Sequence, residues 1–194
     1  MKLQKLKISE LSNYCHLTHQ EMNQYVGGYA RGFNNFCFFN CMEYFSREIC
    51  GYENRDHSSF AESYVLGRDG FYGTKDMEAL GGPNTYVEDE NGNRSINPDL
   101  FNFFSHYFNT DASGWTTGSD ISSLFAATGS EENTAVMGFF LADGSTAHCV
   151  ILKGYDAATD TYTYYDPSCS GTEEERTKTV SGSQMLFAGK GGCK

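Results

Sequence analysis

The chain has 194 residues with a net charge of −11, and it contains 39% hydrophobic and 15% aromatic residues. This composition is sufficient for the core of one domain of ordinary size. The negative charge argues against a nucleic-acid partner, and no apolar run approaches the length needed for membrane insertion.

The first 28 residues differ in pattern from the rest of the chain. A start rich in lysine and leucine is followed by Glu21-Met22 and ends in the pair Gly27-Gly28. This pattern resembles the double-glycine leaders of bacteriocin and other peptide precursors, which a peptidase-containing ABC exporter cuts after the second glycine. Glycine suits a narrow cleft because it has no side chain and lets the backbone extend. The alternative is an amphipathic first helix that ends at a glycine cap.

The leader resemblance implies two segments, a leader peptide over 1–28 and a mature domain over 29–194. It implies that the exporter is a partner, that the protein is secreted, and that the mature chain starts at Tyr29. No apolar stretch follows the N-terminal lysines, so the segment is not an ordinary secretory signal.

A cysteine opens the first helical pattern of the mature region. Apolar residues recur at helical spacing on one face of this run, which Gly51 ends; they are Phe38, Cys41 or Met42, Phe45 and Ile49. Cys37 is expected in the first turn, where the helix dipole and unpaired backbone N–H groups favour a thiolate. Cys41 is the rival nucleophile. If Cys37 lies at the helix start, Cys41 lies one turn inside and is buried.

Further helices are predicted between the cysteine helix and residue 129. Ser59 and Glu62 have capping-box spacing, which predicts a helix to about Leu66. Residues 75–80 suggest a helical segment, and residues 88–93 form a polar, turn-rich insertion.

Asn97-Pro98 predicts another helix start, with Asn97 as the cap and Pro98 at the first position. The apolar members of this helix are Leu100, Phe101, Phe104 and Phe108. A last helix is predicted from Asp120 to about Gly129, with apolar members Ile121, Leu124 and Phe125.

The C-terminal third is rich in strand-forming residues. Five strands are predicted, over Thr134–Leu141, Ala147–Gly154, Thr161–Tyr165, Lys178–Val180 and Met185–Ala188. Asp143-Gly144 is a hairpin turn signal between the first two strands. Helices followed by an antiparallel sheet indicate the α+β class.

His148 and Asp166 are the candidate partners of the Cys37 thiol. His148 begins a strand, and a general base is best held on a rigid element beside the nucleophile. The alternative is a satisfied residue at a sheet edge. Asp166 follows the next strand and is expected to accept a hydrogen bond from His148, which would fix the ring tautomer. The alternative is a turn-forming Asp-Pro pair.

The order Cys37, His148, Asp166 resembles that of the papain-like cysteine peptidases, particularly the branch related to bacteriocin-processing peptidases. That branch has a Cys opening a buried helix, a His opening a core strand in an H-x-V-x-x-x-G-Y-D type run, and a D-P after the next strand. Three short patches between residues 34 and 167 carry the resemblance. It implies a papain-like fold, with an N-terminal helical half carrying the Cys helix packed on a C-terminal antiparallel sheet.

The nucleophile patch departs from this branch, which commonly has Asp-Cys-Gly where this chain has Phe36-Cys37-Phe38. The local run is more similar to the Cys-Leu-Phe pattern of ovarian-tumour-type deubiquitinases. Asn34 matches the place of the Asp in that pattern. Asn34 or Asn35 is expected to donate an amide N–H to the developing oxyanion, beside the backbone N–H of Cys37.

Two functions follow from these patterns. The first is a secreted papain-like thiol hydrolase, without a cofactor, that cleaves peptide or amide bonds of a peptide or protein substrate by a Cys-His-Asp mechanism. The alternative is an exported antagonistic or signalling polypeptide that uses the scaffold for binding without catalysis. A related possibility is an enzyme that processes a co-exported peptide.

The seven cysteines show no C-x-x-C pair, and Cys37 with Cys41 lacks a second pair of ligands, so no zinc site is expected. Export to an oxidising compartment predicts at most two disulfides, because a catalytic Cys37 must stay free. Cys169–Cys193 is the predicted pair. A Cys41–Cys50 bridge is excluded because nine helical residues span roughly 13 Å at about 1.5 Å each.

Overall fold

The structure is a computed structural model that describes residues 36–53, 55–66, 86–92, 94–110, 115–117, 120–128, 133–142 and 147–194. Several predictions fall outside this part of the chain: those on the leader with Gly27-Gly28, on Asn34 and Asn35, on residues 75–80, and on Asp143-Gly144.

Helices precede most of the strands in the described chain, as predicted. The helices are α1 (Phe36–Tyr44), α2 (His57–Leu66), α3 (Pro98–Tyr107), α4 (Ile121–Thr128) and α5 (Glu173–Arg176). The strands are β1 (Tyr86–Glu88), β2 (Arg94–Ile96), β3 (Asn109–Thr110), β4 (Thr116–Thr117), β5 (Thr134–Leu141), β6 (Ala147–Asp156), β7 (Thr161–Tyr165), β8 (Thr177–Ser181) and β9 (Met185–Gly192). A π-helical turn, Phe45–Ile49, extends α1.

The main sheet is antiparallel and has the order β3-β9-β5-β6-β7-β8, with β4 also paired to β9. The strands β1 and β2 form a separate hairpin, which the sequence patterns did not predict as strands. The fold is therefore a mixed α+β arrangement with a helical N-terminal part and an antiparallel sheet. Among the described residues, no helix is long and apolar enough to cross a membrane.

The sheet buries both of its faces. On β6, Cys149 and Ile151 belong to the core that packs against α1, α2 and α3. Val150 and Leu152 alternate with them and belong to the second core, which Ile121 of α4 joins. Helix α1 packs directly on β6 within the first core. The start of the cysteine helix therefore lies beside the start of the histidine strand.

Aromatic rings fill the first core. Phe104 packs edge-on against Phe45 with ring centroids 5.4 Å apart, and it contacts Trp115 in the same way at 5.6 Å. Gly191 of β9 permits this packing, because a Cβ built there would lie 2.5 Å from the Phe104 ring. Gly191 therefore allows an aromatic side chain to pack closely on the sheet.

Two local helix predictions need correction. Helix α2 begins at His57, before the predicted Ser59, because the Asp56 carboxylate accepts the backbone N–H of Ser59 at 2.8 Å and caps the helix. In α3, Asn97 does cap the helix through the N–H of Asp99. The buried face includes Phe103, whereas Phe101 is only half-buried.

The predicted Cys169–Cys193 disulfide is wrong, because Cys193 is bonded to Cys50 with their Cα atoms 5.4 Å apart. Cys169 is not a free thiol either. Strand β9 runs back beside the end of the π-helical turn, and Tyr52 donates a hydrogen bond to the carbonyl of Lys194 at 2.6 Å. Spacing along the chain could not show this pairing, because the two cysteines are 143 residues apart.

Candidate active site

Cys37 is the second residue of α1 and therefore lies in its first turn, as expected. The residue is 8% exposed, while Cys41 and Cys149 are completely buried. The sulfur of Cys37 accepts the backbone N–H of Cys149 at 3.3 Å. An N–H directed at the sulfur stabilises negative charge on it.

His148 lies between the thiol and a carboxylate. Its Nε2 is 2.8 Å from Oδ2 of Asp166. The Cys37 side chain, on the other side of the ring, contributes to raising the pKa of the imidazole. The ring has two nitrogen atoms, so Nδ1 remains for the sulfur. The His148 side chain is 24% exposed. Water or a bound substrate can therefore reach the imidazole while the carboxylate behind it stays enclosed.

The Asp166 carboxylate is buried and fully engaged. Its Oδ1 accepts the backbone N–H of Ser168 at 2.9 Å, which closes a short turn around Pro167. The sulfur of Cys169 lies 3.2 Å from Oδ2. The backbone N–H of Asp166 donates to the carbonyl of Arg176 at 2.9 Å. Asp166 is therefore both the turn-forming residue and the hydrogen-bond partner of the imidazole, which the sequence had offered as alternatives.

Protonation states follow from these contacts. Burial alone lowers the pKa of His148, but the hydrogen bonds to Asp166 and Cys37 outweigh burial and raise the pKa to about 10. Burial alone raises the pKa of Asp166, but the hydrogen bond from His148 and the N–H of Ser168 hold it below its ordinary value. At neutral pH the pair is therefore an imidazolium and a carboxylate.

The other two thiols near Cys37 are in different surroundings. Burial raises the pKa of the Cys41 thiol, and burial raises the pKa of Cys149 well above its ordinary value. Both side chains hydrogen-bond to each other inside the core. They stay protonated at neutral pH, and this state is unfavourable for a nucleophile.

A second histidine–carboxylate pair joins Glu43 of α1 to His57 of α2. Nδ1 of His57 is 2.7 Å from Oε2 of Glu43, although the sequence suggested no acid partner for this histidine. Glu43 also forms an ion pair with Arg47 at 2.7 Å. This pair joins α1 to α2 and is separate from the group formed by Cys37, His148 and Asp166.

A polar cavity of about 530 Å³ lies along α1; its lining includes Glu43 and His57 but not Cys37, His148 or Asp166. Its wall includes Asn40, one helical turn after Cys37, and Tyr165 and Pro167, which flank Asp166. This volume falls within the range of small-molecule and side-chain pockets. No group of three or more His, Cys, Asp or Glu side chains in the described ranges is placed to hold a metal ion.

Three contributors to the site were not predicted: the backbone N–H of Cys149, Ser168 and Asn40. The Asp-Pro-Ser sequence carries a signal for Ser168, because an Asp side chain commonly accepts an N–H two residues on. Phe140 also packs edge-on against the His148 ring, with centroids 5.5 Å apart. Its position follows from the β5–β6 pairing, which places it opposite His148.

Comparison of the chain with protein-family models, curated proteins and solved structures found no match. The candidate site is therefore defined by its geometry: a thiol at a helix start, an imidazole on β6, and a buried carboxylate directly after β7.

Proposed function

We propose that the protein is a papain-like cysteine hydrolase that cleaves a peptide or amide bond of a peptide or protein substrate. The observation that carries the proposal is the grouping of Cys37, His148 and Asp166: Nε2 of His148 is 2.8 Å from Oδ2 of Asp166, and the Cys37 side chain helps to raise the pKa of the His148 imidazole. The thiol on a helix packed against the histidine strand supports a papain-like arrangement. Geometry of this type activates sulfur by pairing it with a proton donor that a third group orients.

In the proposed reaction the Cys37 sulfur attacks the substrate carbonyl carbon and forms an S–C bond. The carbonyl electrons move to oxygen, and collapse of this tetrahedral species breaks the C–N bond. The His148 ring gives its Nδ1 proton to the leaving amine. A water molecule then attacks the thioester carbon while neutral His148 takes one of its protons; the C–S bond breaks, the acid product leaves, and the Cys37 thiolate and His148 imidazolium are restored.

Short exposure to iodoacetamide at mildly acidic pH should alkylate Cys37 before the other free cysteines. The sulfur of Cys37 accepts the N–H of Cys149 and the residue is slightly exposed, whereas Cys41 and Cys149 are fully buried and protonated. Peptide mapping by mass spectrometry measures the order of labelling. Dominant labelling of Cys41 would transfer the nucleophile role to that residue.

Cleavage of a mixed peptide library tests the hydrolase itself, with Cys37→Ala as the inactive control. Products released by the parent protein and absent with the variant support the proposal. A protein whose Cys37 reacts with iodoacetamide but which cleaves no peptide would favour the exported binding polypeptide.

The export proposal rests on Glu21-Met22 and Gly27-Gly28. We expect the secreted protein to begin at Tyr29, because the exporter peptidase would cut after the second glycine. Mass spectrometry of the intact protein from culture medium measures this directly. A secreted chain that still carries residues 1–28 would refute the leader, and Gly28→Val should block cleavage because a branched side chain fills the narrow cleft.

A further inference from the structure

The turn that carries Asp166 is joined to the nucleophile helix by a side-chain contact outside the triad. The Asn40 amide donates a hydrogen bond from Nδ2 to Oγ of Ser168 at 3.2 Å. Ser168 in turn donates its backbone N–H to Asp166. Asn40 lies on α1, three residues after Cys37. Contacts from Cys37 through His148, Asp166 and Ser168 therefore return to the same helix one turn away.

Two backbone hydrogen bonds of the turn stay at its own end of the sheet. The N–H of Asp166 bonds to Arg176, and the N–H of Cys169 bonds back to the Asp166 carbonyl at 3.3 Å. These bonds hold the turn to its own end of the sheet. The Asn40–Ser168 bond joins the turn directly to the helix on which the sulfur sits.

We propose that Asn40 is a positioning residue that fixes the distance between the Asp166 carboxylate and the Cys37 helix through Ser168. This proposal rests on the proposed hydrolase. Asn40 is only half-buried and lines the polar cavity, so it contributes little to the core. Asn40 acts by fixing a distance. Small displacements of an orienting group lower the rate of a reaction that depends on the alignment of its reacting groups.

Asn40→Ala should lower kcat/KM about two- to tenfold, the range given by the net free energy of one hydrogen bond. The loss should fall on kcat more than on KM, because the released turn affects the reacting groups. Ser168→Ala should give a loss of the same size, since its backbone N–H to Asp166 remains. Ser168→Thr keeps the hydroxyl and should retain the parent activity.

A double-mutant cycle provides the decisive measurement. If the two side chains act through one bond, the double variant Asn40→Ala with Ser168→Ala should lose no more than either single variant. Multiplying losses would overturn the proposal. Asn109→Ala is the matched control. Asn109 also donates an exposed amide hydrogen bond, but it donates to the Cys193 carbonyl and not to the turn that carries Asp166.

A second measurement does not depend on peptide cleavage. Titration of His148 by nuclear magnetic resonance in the folded protein should show its midpoint moving to lower pH in Asn40→Ala but not in Asn109→Ala, because a less firmly held carboxylate stabilises the imidazolium less. An unchanged His148 midpoint would refute the positioning role even if the parent is an active hydrolase. If the parent cleaves no peptide but the His148 midpoint still moves to lower pH in Asn40→Ala, the positioning role is supported and the hydrolase is refuted.

Discussion

His148→Ala is expected to lower kcat/KM by two to four orders of magnitude, which corresponds to about 3–5 kcal/mol of barrier. The substitution removes the proton donor for the leaving amine and the cation that stabilises the sulfur. Peptide cleavage measured at saturating and limiting substrate gives both constants. Rates of Cys37 alkylation by iodoacetamide should fall in parallel, because the thiol loses its hydrogen-bonded imidazolium.

The matched control for this prediction is His57→Ala. His57 also contacts a carboxylate, that of Glu43 at 2.7 Å, and it is more exposed than His148. We expect near-parent activity from the control. Full activity in His148→Ala, with circular dichroism showing that both variants are folded, would contradict the proposed reaction.

Local sequence patterns predicted the strands that turn residues bound and the helix that an apolar stripe marks. The strands β5, β6 and β7 were predicted within two residues at each end, because β-rich runs end in clear turn residues. The start of α1 near Cys37 was predicted from a different signal, because an apolar stripe with helical spacing begins there. The sequence order of Cys37, His148 and Asp166 also indicated three residues that the structure brings together.

Long-range and backbone contacts were not predictable from the pattern. The Cys50–Cys193 bond depends on where β9 ends relative to the π-helical turn, and no local signal marks that turn. The N–H of Cys149 that faces Cys37 is a backbone group, so residue type carries no information about it. The Asn40–Ser168 bond joins residues 128 positions apart, and it exists only because α1 packs on the sheet.

The hydrogen bonds of Asp166 predict different losses of activity for its replacement by asparagine and by alanine. The carboxylate has two oxygens and accepts a different N–H with each: His148 on Oδ2 and Ser168 on Oδ1. Asparagine supplies one acceptor oxygen for these two donors, and its NH₂ group must face the other donor. Alanine supplies none. It leaves the half-buried His148 ring without its acceptor, at a cost of about 1–3 kcal/mol, whereas the N–H of the exposed Ser168 can turn to water.

We therefore expect activity to fall in the order parent, Asp166→Asn, Asp166→Ala, His148→Ala, with all proteins folded by circular dichroism. Both Asp166 variants should also lose activity at lower pH on the alkaline side than the parent does. The hydrogen bond to Asp166 contributes to raising the pKa of His148 to about 10, so its loss lets the imidazolium lose its proton at lower pH. Profiles of kcat/KM against pH for the four proteins on one peptide test both points. If Asp166→Ala keeps the parent rate and the parent alkaline limit while His148→Ala is inactive, Asp166 serves only the turn before Ser168.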